Sequence, residues 1–118
     1  MKRAEAERQG RKAEMLAAWW LRFRGWRILA RRVKMPVGEV DIVARKGRTV
    51  AFVEVKWRRD AAALDGAVDA QRLRRVARAA EALAARHLRA GDDMRIDVIL
   101  VAPGRLPRRI ANAWQPGA

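Results

Sequence analysis

The chain has 118 residues, 51% of them apolar, enough for one small domain with a modest core and too many for a disordered basic tail. Lys and Arg number 27 against 13 Asp and Glu, giving a net charge of +14 and a pI near 11.8, a balance that points to a polyanion, nucleic acid first. The absence of cysteine excludes disulfides, thiolate metal sites and cysteine nucleophiles, and a single histidine, His87, argues against a zinc site or a His-based triad, so the chemistry is expected from carboxylates, lysine and a hard metal ion.

MKRAEAERQGRKAEM offers no apolar leader core, and no run approaches the roughly 20 apolar residues of a membrane span. The expectation is a cytoplasmic protein with no membrane partner, a single domain over 1–118 and basic termini that are partly mobile. From about Ala13 to Arg24, AEMLAAWWLRFR places Leu16, Trp19, Trp20 and Phe23 on one helical stripe. Glu14 lies on another face, with Ala17, Ala18 and Leu21. The bulky stripe is expected to be core or the interface of a homodimer, and Gly25 to close the helix.

WRILARRV then reads as a strand, and VGEVDIVAR and TVAFVEVKW as a hairpin turning at Lys46 and Gly47. Residues 66–89 form the clearest helix, with Leu73, Val76, Ala77, Ala80, Leu83, Ala84 and Leu88 on one face and arginines around the rest. MRIDVILV follows as a strand, while LPRRIANAW carries no clear signal. A strand, long helix, strand connection favours a parallel crossover, so the sheet is expected to be mixed and flanked by helices.

Acidic residues interrupt both hairpin strands. Alternation puts Glu39 and Asp41 on one face of the first and Glu54 and Lys56 on one face of the second. With the turn at Lys46 and Gly47, Arg45 opposes Arg48, Asp41 opposes Phe52 and Glu39 opposes Glu54. Two carboxylates at roughly 5 Å repel by on the order of 3 kcal/mol at an effective dielectric near 20. Lys56 offsets part of this, and Mg²⁺ or Mn²⁺, which prefer oxygen donors, would offset the rest. The plainer alternative is a solvated outer face with a cross-strand Glu–Lys pair.

The pattern GEVD, a short turn, then FVEVKWR resembles the signature of the YraN-like family of small uncharacterised bacterial proteins, which is itself similar to the PD-(D/E)xK nucleases and Holliday-junction resolvases. The likeness extends over most of the chain, with RIDVILV in the place of the family's later strand. Position 13 is Ala and position 57 is Trp, where the family favours Gly and Ser or Thr. The resemblance implies an α/β, restriction-endonuclease-like core in the order helix, three strands, helix, strand. It implies Asp41 and Glu54 as metal ligands with the Val55 carbonyl, and Lys56 orienting water or stabilising charge. Glu14 matches a helix-borne acid of resolvases, Gln71 a polar residue on the helix after the catalytic strand, and Glu39 completes the acidic patch.

Arg72, Arg75, Arg78, Arg86 and Arg89 on the long helix, with Arg58 and Arg59 after the catalytic strand, are candidates to track phosphates. Asp97 reads as a buried ion-pair partner near Arg95. The expected function is metal-dependent cleavage of branched or otherwise structured DNA. The alternatives are a nucleic-acid-binding module of the same fold without turnover and a basic RNA-binding protein.

Overall fold

The computed structural model describes residues 3–59 and 69–114. The elements are α1 (Arg3–Phe23), β1 (Arg27–Met35), β2 (Gly38–Lys46), β3 (Thr49–Trp57), α2 (Ala70–His87), β4 (Asp93–Val101) and β5 (Arg108–Ile110). The five strands form one sheet in the order β1-β2-β3-β4-β5, antiparallel except for the parallel β3–β4 pair. The mixed α/β architecture expected from the sequence is present. The tail left unread supplies β5, whose Ile110 pairs with Val98 and adds to the core. The part of the expected second helix before Asp69 lies outside the described residues.

Each helix covers one face of the sheet. Leu73, Val76, Ala80 and Leu83 of α2 pack on Val43, Val50, Phe52, Ile96 and Val98. On the other side Ala13, Ala17, Ala18 and Leu21 of α1 pack on Ile42, Ala44, Ala51, Val53 and Ile99. Fully burying a side chain of the size of Phe52 or Leu83 contributes roughly 1.5–3 kcal/mol, and alternation along β3 and β4 shares that gain between the layers. The central strands are therefore apolar on both faces, which is why they read as near-continuous runs.

One boundary of α1 is corrected: the helix begins ten residues earlier than expected, at Arg3. Of the two places expected for the bulky stripe, the core of the single chain takes only part of Trp20: Leu16 is 53%, Trp19 62% and Phe23 93% exposed, while the alanine face is buried. Small side chains let the helix axis come close to the sheet, and a stripe of indoles would hold it off. Closure at Gly25 is as expected: φ is +91° there, the Gly25 N–H reaches the Arg22 carbonyl, and the Trp26 N–H reaches Leu21. These are the paired bonds of a Schellman cap, and Trp26 and Leu21 join the same core cluster.

At the far side of the sheet, fully buried Asp97 accepts from Arg95 at 2.8 Å and from the Asn112 backbone N–H at 2.8 Å, with Arg109 at 3.6 Å. The Arg95 and Arg109 guanidiniums each lie 5.5 Å from the Trp26 ring centre. Asp97 thus holds the C-terminal segment to the sheet, the ion-pair role read from the sequence.

Candidate functional site

The hairpin register differs from the expected one. The ladder runs from Lys46↔Thr49 through Val43↔Phe52 to Ile42↔Val53, so Arg45 faces Val50 rather than Arg48. The two turn residues are Gly47 and Arg48, and Gly47 has φ +60°, the left-handed conformation that glycine adopts without steric penalty at the first position of a hairpin turn. The register moves by two residues. A shift of two residues keeps side-chain parity in the paired segment but removes the expected facing of Glu39 and Glu54.

The regular ladder ends beside the acids. The Val55 N–H donates to the Asp41 carboxylate at 2.8 Å. Val40 packs in the α2 layer although Ile42, two residues on, packs in the α1 layer. A strand in even alternation would put both on one side, so β2 changes face at Asp41, and the carboxylate satisfies the Val55 donor across the gap.

Asp41 and Glu54 line one cleft of about 190 Å³ with Glu39, Arg72, Arg75 and Val76. Glu54 is buried, and its Oε1 accepts from Arg72 Nε and lies 3.6 Å from Lys56 Nζ. Asp41 has no ion-pair partner among the described residues. Burial, with the nearby Glu54, Glu14 and Glu39 carboxylates, raises its pKa to about 6 against the lowering effect of the Val55 N–H. Burial pulls the Lys56 ammonium below its ordinary range; Glu54 works against this, and the Arg72 and Arg58 guanidiniums reinforce it. Shifts from burial combined with specific charge partners are typical of working sites.

The approach of α2 depends on one glycine. A Cβ on Gly38 would stand 2.5 Å from the Arg75 carbonyl oxygen, inside contact distance of helix backbone. Gly38 begins the GEVD motif, so the glycine of that pattern lets the N-terminal half of α2 settle over the hairpin and brings Arg72 onto Glu54. Asp69 caps the same end, its carboxylate accepting from the Gln71 N–H at 2.9 Å.

Other expected site residues lie around this cleft. Glu14, buried on α1, is held by Arg31 at 3.3 Å and Arg32 at 3.1 Å and acts on Asp41 through its charge rather than by lining the cleft. Arg32 adopts φ +52°, an uncommon conformation for a residue with a side chain. Gln71 is exposed and lines the outer groove, not the acidic cleft. Arg58 is tied to the C-terminal end of the sheet, its N–H donating to the Val101 carbonyl, and Arg59 lines a separate hollow with Lys12, Leu16 and Trp57.

Arg72, Arg75 and Arg78 come together with Arg74, Asp69 and Gln71 around an open groove of about 470 Å³. Arg74 was missed in the sequence, although Gln71, Arg74, Arg75 and Arg78 have the i, i+3, i+4, i+7 spacing of one helical face. Arg72 and Arg75 border both the groove and the acidic cleft. Arg31 and Arg32 were missed as partners of Glu14 because only the sheet edge brings them there.

No three His, Cys, Asp or Glu side chains among the described residues are grouped closely enough to hold a metal by themselves. The cleft offers the Asp41 and Glu54 carboxylates, with Glu39 also on its lining. These are hard oxygen donors of the type Mg²⁺ and Mn²⁺ accept alongside several waters, and Asp41 makes no ion pair among the described residues, so the chemistry of the donors fits such an ion. Among the described residues no helix is long and apolar enough to cross a membrane.

Comparison with known proteins gives one consistent match. The uncharacterised protein family UPF0102 matches residues 13–101. Relatives named UPF0102 protein include one from Sphingopyxis alaskensis, 65% identical over 98% of this chain and all of its own length, and one from Erythrobacter litoralis, 63% identical over the same shares. Another, from Rhizorhabdus wittichii, is 59% identical over 96% of both chains. The matched span includes the whole hairpin, α2 and β4.

Proposed function

The chain belongs to the uncharacterised family UPF0102, and from that premise we propose that it is a metal-dependent nuclease with a restriction-endonuclease-like core, acting on branched or otherwise structured DNA. One observation carries this reading: Asp41 and Glu54 line one cleft, Lys56 lies 3.6 Å from Glu54, and the rim of the cleft is shared with a groove of five closely spaced polar and cationic residues of α2. Acid, acid and lysine beside a phosphate-binding rim is a chemically sufficient set for phosphodiester hydrolysis without His or Cys.

Asp41 and Glu54 would hold Mg²⁺ or Mn²⁺ with the Val55 carbonyl; when bound, the ion supplies Lewis-acid polarisation of the phosphate and a more acidic water. The chain's own side chains do the rest. The Asp41 carboxylate is fixed by the Val55 N–H, which keeps one oxygen turned to the β3 backbone and the other free. Lys56, with its ammonium pKa lowered by burial, is placed to orient a water or to stabilise charge on a phosphoryl oxygen. Arg74, Arg75 and Arg78 bind successive backbone phosphates, and no base-reading arrangement accompanies them, so recognition is by shape and backbone. A cytoplasmic setting, where nucleic acid is at hand, accompanies this reading.

A second reading, a binding module without turnover, is favoured by the ion pair that Arg72 makes with Glu54, which already neutralises one of the two acids. Fluorescence anisotropy and cleavage of the same labelled DNA, with wild type and Glu54→Gln, separate the two. A nuclease loses cutting in Glu54→Gln and keeps salt-sensitive binding; a binding module shows binding without cutting in both proteins. Preference for RNA over DNA of equal length would indicate the RNA-binding alternative.

A further inference from the structure

Arg72 is unlike the other arginines of α2. Its guanidinium is the main partner of Glu54, yet its side chain is 57% exposed while that of Glu54 is 4% exposed. It borders the acidic cleft on one side and the arginine groove on the other. Lys56, the second cation on Glu54, is 11% exposed and 3.6 Å away, and it springs from the same strand two residues on. One cation is therefore fixed in the protein interior and the other reaches in from solvent, on an arm that also borders Gln71, Arg74, Arg75, Arg78 and the capping Asp69.

We propose that Arg72 is an exchangeable counter-ion that couples cation loading of the acidic cleft to binding of a nucleic-acid phosphate in the groove. With the groove empty, the guanidinium neutralises Glu54 and competes with a divalent ion for its Oε1. A backbone phosphate offers the same guanidinium a two-oxygen partner with better geometry. When Arg72 turns to that phosphate, Glu54 is left buried with Lys56 alone beside two further acids, Asp41 and Glu39, and the cleft gains affinity for a cation. The coupling is reciprocal by thermodynamic necessity: whatever the polyanion does for the cation, the cation does for the polyanion. The consequence is a site that stays closed to divalent ions in the free protein and loads on substrate. This inference rests on the assignment of Asp41 and Glu54 as cation ligands.

Binding of Mn²⁺ to the full chain is followed by the electron paramagnetic resonance signal of the free ion, for wild type, Arg72→Ala, Arg72→Gln and Arg78→Ala. Each is measured alone and with a short phosphorothioate DNA duplex, which keeps the backbone charge and resists hydrolysis; the duplex alone is the blank. Arg72→Ala and Arg72→Gln are expected to bind Mn²⁺ at least about tenfold tighter than wild type without DNA, a change of about 1.4 kcal/mol. The duplex is expected to tighten Mn²⁺ binding to wild type and to Arg78→Ala but not to the Arg72 variants. A purely structural Arg72 would instead lower thermal stability and leave Mn²⁺ affinity unchanged or weaker, which overturns the proposal while leaving the metal assignment intact. No saturable Mn²⁺ binding in wild type or in either Arg72 variant, with or without duplex, overturns both. Arg72→Gln keeps the proposal testable if the alanine variant fails to fold.

Discussion

Asp41 is held in the native state at an energetic disadvantage, and removing its charge should stabilise the metal-free protein. Its pKa is about 6 in the fold against an ordinary value of 3.8, driven first by burial and then by Glu54, Glu14 and Glu39. A carboxyl whose folded pKa is raised contributes stability that is fully present below the unfolded value and lost as pH rises through the folded value. Wild type should therefore lose stability between about pH 4 and pH 6.5 from this group, and the gap corresponds to about 3 kcal/mol as an upper bound. Asp41→Asn is nearly isosteric and keeps an oxygen for the Val55 N–H at 2.8 Å, but the bond is no longer charge-assisted, which returns roughly 1 kcal/mol. The net expectation is a variant more stable than wild type by about 1–2 kcal/mol at pH 7.5 in EDTA, a rise of several degrees in melting temperature. At pH 4 the advantage should vanish. Urea unfolding at both pH values checks this. Asp41→Asn less stable than wild type at pH 7.5 and pH 4 alike would refute the reasoning.

Further outcomes follow from single contacts. Gly38→Ala, whose Cβ would meet the Arg75 carbonyl oxygen at 2.5 Å, should push α2 off the hairpin and destabilise by about 1–3 kcal/mol, as overpacking does; amide hydrogen exchange should show the loss concentrated in the first turns of α2. Asp97→Ala strips the half-buried Arg95 and Arg109 and the Asn112 N–H of their shared acceptor and should cost about 1–3 kcal/mol in urea unfolding, because donors at the sheet edge lose their partner. Asp92 is held down to about 2 by Arg45, with help from the Arg89 N–H. Its contribution is present above its unfolded value of 3.8 and lost as pH falls through about 2, so Asp92→Asn should lower the melting temperature at pH 7 and have little effect near pH 2. Arg74→Ala should weaken DNA binding uniformly across sequences and reduce the salt-dependence slope by about one, read from anisotropy titrations over a range of salt concentrations.

The order of elements, the mixed sheet and the acidic face of the hairpin were legible because each rests on short-range pattern. Alternation along β3 fixes the side that Glu54 takes and a long apolar stripe fixes α2, whereas the change of face of β2 at Asp41 has no counterpart in the period-2 pattern. What failed to read depends on choices between nearly equivalent local states. Lys46-Gly47 and Gly47-Arg48 are both plausible turns, since a positive φ at Gly47 suits either, and the pairing of Lys46 with Thr49 selects the second. Which face α1 lays on the sheet stayed open in the sequence because hydrophobicity favours Trp19 and Phe23, whereas close approach to the sheet favours Ala13, Ala17 and Ala18. The counter-charge on Glu54 was expected from Lys56 and a metal ion. Its partner Arg72 lies 18 residues away, across the β3–α2 connection, and is delivered by packing at Gly38. No sequence spacing encodes that meeting, so the cation of the groove and the acid of the cleft looked like separate features.

The proposed phosphodiester-cleaving centre on β2 and β3 is tested most directly by cleavage of labelled four-way-junction, flap, single-stranded and duplex DNA by wild type and Asp41→Asn, with Mg²⁺, Mn²⁺ or EDTA. Cutting that requires the metal, favours the junction or flap and disappears in Asp41→Asn is the predicted result. Binding of all these substrates with no cleavage by wild type under either metal would contradict it and leave the positive charge of α2 as the function.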